Sequence, residues 1–240
     1  MLPLLTFLLL TAPLLAIDPA AKQKIGEQIW ANECGKSKDK LTFWNAAEEF
    51  PSLGIGHFIW YPEGNRQRFE EIFPKLAAYL KKQGVNVPAW ALGPCPWLSR
   101  EAFYKDFARE RLQMLRELLY ETRALQVDFM VERMEQALAQ FPLSNTLKQL
   151  KEQPRGVYAL VDYINFKGLG LNPSEHYNGE GWGLLQVLQA IPPNSSDVVQ
   201  DFVLAAKKVL ATRVKNSPPE RNEARFLPGW NKRLETYLHF

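Results

Sequence analysis

The sequence predicts a mainly α-helical (α+β) fold with a small β-hairpin near the N-terminus. Apolar residues recur at helical spacing through most of the chain beyond residue 66, as in Phe69, Ile72, Phe73, Leu76 and Leu80. An earlier stretch, Ser-Leu-Gly-Ile-Gly-His-Phe-Ile-Trp-Tyr-Pro at 52–62, breaks that period with glycines and aromatic residues, as short strands do. The 240 residues are 46% hydrophobic and 23% charged, which supports a buried core and argues against a disordered chain.

The elements follow in order. Residues 1–16 carry no charged side chain, include Pro3 and Pro13, and end on the small residue Ala16. The run is shorter than the roughly 18–20 residues of a spanning helix, and it reads as a secretory leader cleaved after about Ala16. Lys or Arg near Met1 is missing from that pattern, so a retained N-terminal anchor is the other reading. Residues 17–240 then form a single domain. Ile25, Ile29 and Trp30 predict a helix over 18–31 that Gly35 ends, followed by a polar loop at 36–40. The hairpin region is 41–62. The apolar stripe from Phe69 runs to Gly84, and a loop with three prolines spans 88–96. Ser99 is an N-cap for one long helix over 100–123. Further helices are expected at 125–140, 145–153, 157–167, 182–190, 196–214 and 230–237.

The net charge of +3 excludes little. Lys and Arg are scattered, so no nucleic-acid partner is expected. Three histidines, two cysteines and the lack of an H-E-x-x-H pattern leave no basis for a metal or cofactor. Gly35-Lys36-Ser37 resembles the end of a phosphate-binding loop, but Trp30 stands where that loop needs a glycine. No G-x-S-x-G elbow is present. In an exported chain Cys34 and Cys95 either pair or remain two buried thiols.

Glu33 lies at the end of the first helix, beside Cys34 and near Trp30. A carboxyl group sheltered by apolar neighbours suits a general acid. An acidic loop with Glu48 and Glu49 follows, then the glycine-rich segment from Ser52 to His57. These are the parts of a two-carboxylate glycosidase site. By spacing alone, the structural reading, a solvent-facing Glu33 and a hydrogen-bonded core His57, is the favoured one. Trp44 and Tyr61 are the aromatic candidates for stacking on a sugar, while Phe58 and Trp60 read as core. Glu180, between Gly179 and Gly181, reads as a turn residue or a cleft-edge acid.

The segment from Glu33 through Ser52-Leu-Gly-Ile-Gly-His57 resembles the start of the phage-type lysozymes, glycoside hydrolase family 24. A second match is Ala-Leu-Val-Asp-Tyr-Ile-Asn-Phe-Lys-Gly at 159–168, which resembles that family's buried central helix. The tail at 228–237 is similar to its closing basic helix. The helical middle, 66–153, is enlarged relative to the family. The resemblance implies a lysozyme-like fold acting on the β-1,4 bonds of peptidoglycan glycan strands. Glu33 would be the general acid, Ser52 the hydroxyl that orients a water, and His57 a support for Glu33. Asn165 would touch substrate, although Asn165-Phe166 inverts the family's order. Ala46 stands where the family carries its aspartate, so Glu48, or Glu49, would supply the second carboxylate. Hydrolysis, transglycosylation to an anhydro sugar, and glycan binding without cleavage all follow from this set. The implied setting is a bacterial periplasm or the exterior, with membrane contact only through the leader.

Overall fold

The computed structural model describes residues 17–65, 69–141 and 144–240. The expected leader at 1–16 lies outside them. Helix α1, Pro19–Cys34, starts where Asp18 accepts the Ala21 N–H and ends where Gly35 turns left-handed. Three two-residue strands follow: β1 (Thr42–Phe43), β2 (Ser52–Leu53) and β3 (Phe58–Ile59). They form an antiparallel meander in sequence order, one strand more than the expected hairpin.

The rest is helical: α2 (Phe73–Lys82), α3 (Arg100–Lys105), α4 (Glu110–Glu121), α5 (Arg123–Leu138), α6 (Asn145–Lys151) and α7 (Pro154–Lys167). A second two-stranded sheet, β4 (His176–Tyr177) with β5 (Glu180–Gly181), precedes α8 (Leu184–Ala190), α9 (Val198–Asn216) and α10 (Leu227–Glu235). The mainly α expectation holds. The single helix expected over 100–123 does not: it breaks into α3 and α4. Asp106 sits at the end of α3 and accepts the Trp97 indole N–H at 3.0 Å, and residues 106–109 form the turn between the two helices.

Helix α7 is the centre of the molecule. Its residues from Gly156 to Tyr163 are all buried, so it is apolar on every side except at Asp162. It packs against α1, α5, α6, α8 and α9. The small sheet is held to the helices by an aromatic cluster. Trp60 tilts against Phe73 with centroids 4.5 Å apart and donates its indole N–H to the Gly93 carbonyl. Trp44 packs edge-on against Phe103 at 5.7 Å. Both cysteines are buried free thiols. Among the described residues, no helix is long and apolar enough to cross a membrane.

Candidate active site

Glu33 comes to its position because α1 ends one residue later. Its side chain is 16% exposed and stands between two partners from distant parts of the chain. Oε1 lies 2.7 Å from Nη2 of Arg233 on α10, and Oε2 lies 3.5 Å from Nδ1 of His57. Arg233 is held from behind by Asp162 of α7, which is fully buried. The guanidinium donates from Nε and Nη2 to the two Asp162 oxygens, each at 2.8 Å, and the Tyr237 hydroxyl adds a third bond at 2.7 Å. Burial works against the Arg233 charge, but Asp162 and then Glu33 more than reverse it and hold its pKa well above the ordinary value.

His57 ends the turn between β2 and β3 with a left-handed backbone, φ 48°. Gly54 and Gly56 allow that turn. Gly54 has φ +72°, and a Cβ on it would stand 2.4 Å from Gln126 Oε1; a Cβ on Gly56 would stand 2.6 Å from the Phe58 ring. The buried Gln126 accepts the Ile55 N–H at 2.9 Å, and Asn165 donates its amide to the Gly56 carbonyl at 3.0 Å. These bonds fix the turn to α5 and α7. Burial lowers the His57 pKa, with Glu33 opposing it. The neutral ring points Nε2 at the Lys40 carbonyl, 3.3 Å away, and a carbonyl only accepts. The proton therefore belongs on Nε2, which leaves Nδ1 as an acceptor facing Glu33 Oε2.

Cys34, His57 and Glu33 line up in the order of a cysteine hydrolase triad, with Sγ 3.5 Å from Nε2. The thiol cannot play that part. Cys34 has no exposed surface, and burial pushes its pKa up to about 12. It packs against the Lys40 and Gly54 carbonyls as a structural thiol.

A cleft of about 440 Å³ opens beside His57, lined from the small sheet by Gly56 to Ile59 and from α7 by Ile164 to Lys167. It continues over α5 and α2 into a second hollow of about 450 Å³, sharing Glu70, Arg133, Ala137, Gln140 and Leu169 with the first. The two make one long groove. In the sheet, Ser52 lies directly opposite both Phe43 and Ile59. Directly opposed residues share a face. Ile59 and its neighbour Phe58 both line the cleft, whereas neither Ser52 nor Glu33 is among its lining residues; Glu33 adjoins it through His57.

The structure brings together Glu33, His57 and Asn165, and leaves Ser52 in the adjoining sheet. The remaining candidates lie elsewhere. Trp44 is 3% exposed and donates to the Glu48 carbonyl; Tyr61 is 4% exposed and donates to the Phe69 carbonyl. Both are packed in the core, and neither presents a ring face to the cleft. Phe69, which is exposed, stands on the cleft instead. Glu48 and Glu49 are exposed on the loop before β2 and do not line the groove. Partial burial raises the Glu48 pKa, Arg221 opposes it, and Glu49 adds to it. Glu180 is exposed at the start of β5, opposite Tyr177.

The motifs at 159–168 and 228–237 contain Asp162, Lys167 and Arg233 but give them no role, and no sequence pattern points to Glu175. The cleft carboxylates are Glu175, whose Oε2 accepts the Gly170 N–H at 2.5 Å, and Glu70, which pairs with Lys75 and Arg133. An aspartate inside the apolar run of α7 was the available signal for a buried ion pair. Compared with protein-family models, curated proteins and solved structures, the chain matches none.

Proposed function

We propose that this protein cleaves the β-1,4 glycosidic bonds of peptidoglycan strands, with Glu33 as the general acid. The observation that carries the reading is Glu33 itself. It is sheltered at a helix end, tethered through Oε1 by Arg233, and its Oε2 faces the acceptor nitrogen of His57 beside a long groove. Arg233 occupies Oε1, so Oε2 is the oxygen from which a proton would be given. That proton passes to the glycosidic oxygen as the C–O bond breaks. Ser52 is proposed to orient the attacking hydroxyl. If that hydroxyl is water, hydrolysis results and a carboxylate on the groove must take its proton. Glu175 and Glu70 stand on the groove and Glu48 on the loop before β2, so Glu175 or Glu70, rather than Glu48, would serve as that base. If the hydroxyl belongs to the sugar, an anhydro end forms. A groove running past the site suits a linear polymer, and the leader at 1–16 would deliver the protein to the wall.

A second reading, binding without cleavage, has one observation in its favour: both Glu33 oxygens already face fixed partners, and Ala46 stands where the family's aspartate is expected. Purified sacculi separate the two. Release of soluble muropeptides by the wild type, abolished in Glu33→Gln, supports cleavage. Equal release by both would remove Glu33 as the acid. Retention on sacculi without release by either would support binding.

A further inference from the structure

The cleft carries cations that the chemistry of Glu33 does not use. Lys167, the last residue of α7, lines the cleft and is 8% exposed. Its Nζ lies 3.4 Å from the centroid of the Trp230 ring and 3.9 Å from that of Phe166. Among the described residues, no carboxylate or other acceptor stands within bonding distance of this ammonium. Arg213 and Arg221 line the same cleft, and both turn to Glu223. Arg213 donates to it twice, at 2.7 and 2.9 Å, and Arg221 stands at 3.8 Å. Tyr177 gives Glu223 a further hydrogen bond. On this side of the cleft Lys167, Arg213 and Arg221 have Glu223 between them, while the lining carboxylates Glu175 and Glu70 are engaged by the Gly170 N–H and by Lys75 and Arg133. The neighbouring network cannot supply the missing anion, because Asp162 and Glu33 are both engaged by Arg233.

A buried ammonium without a counter-ion is costly, and such a cost persists where a ligand brings the opposite charge. Burial, then Arg213 and Arg233, push the Lys167 pKa well below its ordinary value, with Glu223 and Glu33 opposing them only in part. An arriving anion would reverse that push. Arg213 also stacks over Trp182, 4.1 Å from its centroid, so the anion would enter a rigid, partly apolar wall.

We infer that Lys167, with Arg213 and Arg221 beside it, is a subsite for a carboxylate of the ligand in the cleft. The inference rests on the glycan reading and adds to it a preference for charged over neutral strands. In wall glycan the carboxylate has two sources. One is the lactyl group of muramic acid, which is free when the stem peptide has been removed. The other is the stem peptide itself.

The test measures affinity in a Glu33→Gln background, so that nothing is cleaved, with and without Lys167→Met. Methionine keeps the length between the two rings and removes the charge. Three probes are used: peptide-stripped wall glycan, peptide-bearing wall glycan, and neutral chitohexaose. Lys167→Met should weaken binding of a charged strand by roughly tenfold or more, the usual worth of a charged hydrogen bond. It should leave chitohexaose unchanged and raise Tm, since the uncompensated ammonium is gone. A loss confined to stripped strands identifies the lactyl carboxylate, and one confined to peptide-bearing strands identifies the stem peptide. Unchanged binding of both charged strands overturns the subsite while the glycan reading stands. Weaker binding of all three probes with a lower Tm shows a structural lysine and also overturns it. If the Glu33→Gln parent binds none of the three, the glycan reading fails and the subsite falls with it.

Discussion

Replacing Asp162 with asparagine removes one charge from the centre of the fold and leaves its shape unchanged. Asp162 has no exposed surface and accepts three hydrogen bonds, two from Arg233 and one from Tyr237. Asparagine offers one oxygen and turns an amide N–H toward groups that are themselves donors. Arg233 would then rely on Glu33 alone. Breaking a buried pair on one side costs about 3–5 kcal/mol. At about 2–4 °C per kcal/mol for a chain of this size, Tm should fall by roughly 6–20 °C. The control is Asp128→Asn, which breaks the partly exposed Lys22–Asp128 pair at 2.6 Å and should cost about 0–1 kcal/mol. The double variant Asp162→Leu/Arg233→Met should regain part of the loss, because the fully buried carboxylate and its guanidinium leave together, while Glu33 and the Tyr237 hydroxyl lose a partner. Thermal melts and urea titrations of the four proteins measure this. If Asp162→Asn melts within about 2 °C of wild type, Asp162 is not the anion that stabilises Arg233, and the tether on Glu33 loses its anchor.

Three other outcomes follow from the same geometry. The His57 pKa lies below its unfolded value, so the unfolded chain binds a proton that the folded chain refuses. Stability is then fully present above the unfolded pKa, about 6.5, and is lost as pH falls toward the folded pKa. His57→Gln should flatten that loss between about pH 7 and 5, and an unchanged slope would contradict a buried neutral imidazole. The thiols of Cys34 and Cys95, both pushed up to about 12, should resist maleimide in the native protein and label fully in denaturant; rapid native labelling would count against their burial. Gly56→Ala should cost about 1–3 kcal/mol through the clash with Phe58, read from urea midpoints, and wild-type stability would mean that the turn can open.

Local signals were legible where one residue carries them. Asp18 and Ser99 start helices as their caps require, and the glycines at 54 and 56 mark the turn that presents His57. Asn178-Gly179, with φ 52° and 81°, is a strong hairpin signal that was passed over because its strands are two residues long. The break before α4 depends on the Trp97–Asp106 contact, a side-chain bond that periodicity does not contain. The same limit applies to the site. Glu33 and His57 were visible through motif and order. Arg233 and Asp162 are 71 residues apart and meet only because α10 folds back onto α7. The place of Trp44 and Tyr61 beside the glycine segment suggests ligand-facing rings, yet the Phe103 ring that packs on Trp44, and the Arg100 and Tyr104 side chains that bond its carbonyl, come from 100–104, far along the chain.

The central claim is that Glu33 gives its proton to a glycosidic oxygen. Mass spectrometry of the glycan ends, after digestion of sacculi by the wild type and by Glu33→Gln of equal Tm, tests it most directly. New reducing or anhydro ends made by the wild type and absent with Glu33→Gln are predicted, reducing ends marking water as the nucleophile and anhydro ends the sugar's own hydroxyl. The same ends made at the same rate by both proteins, or none made by either, would contradict it.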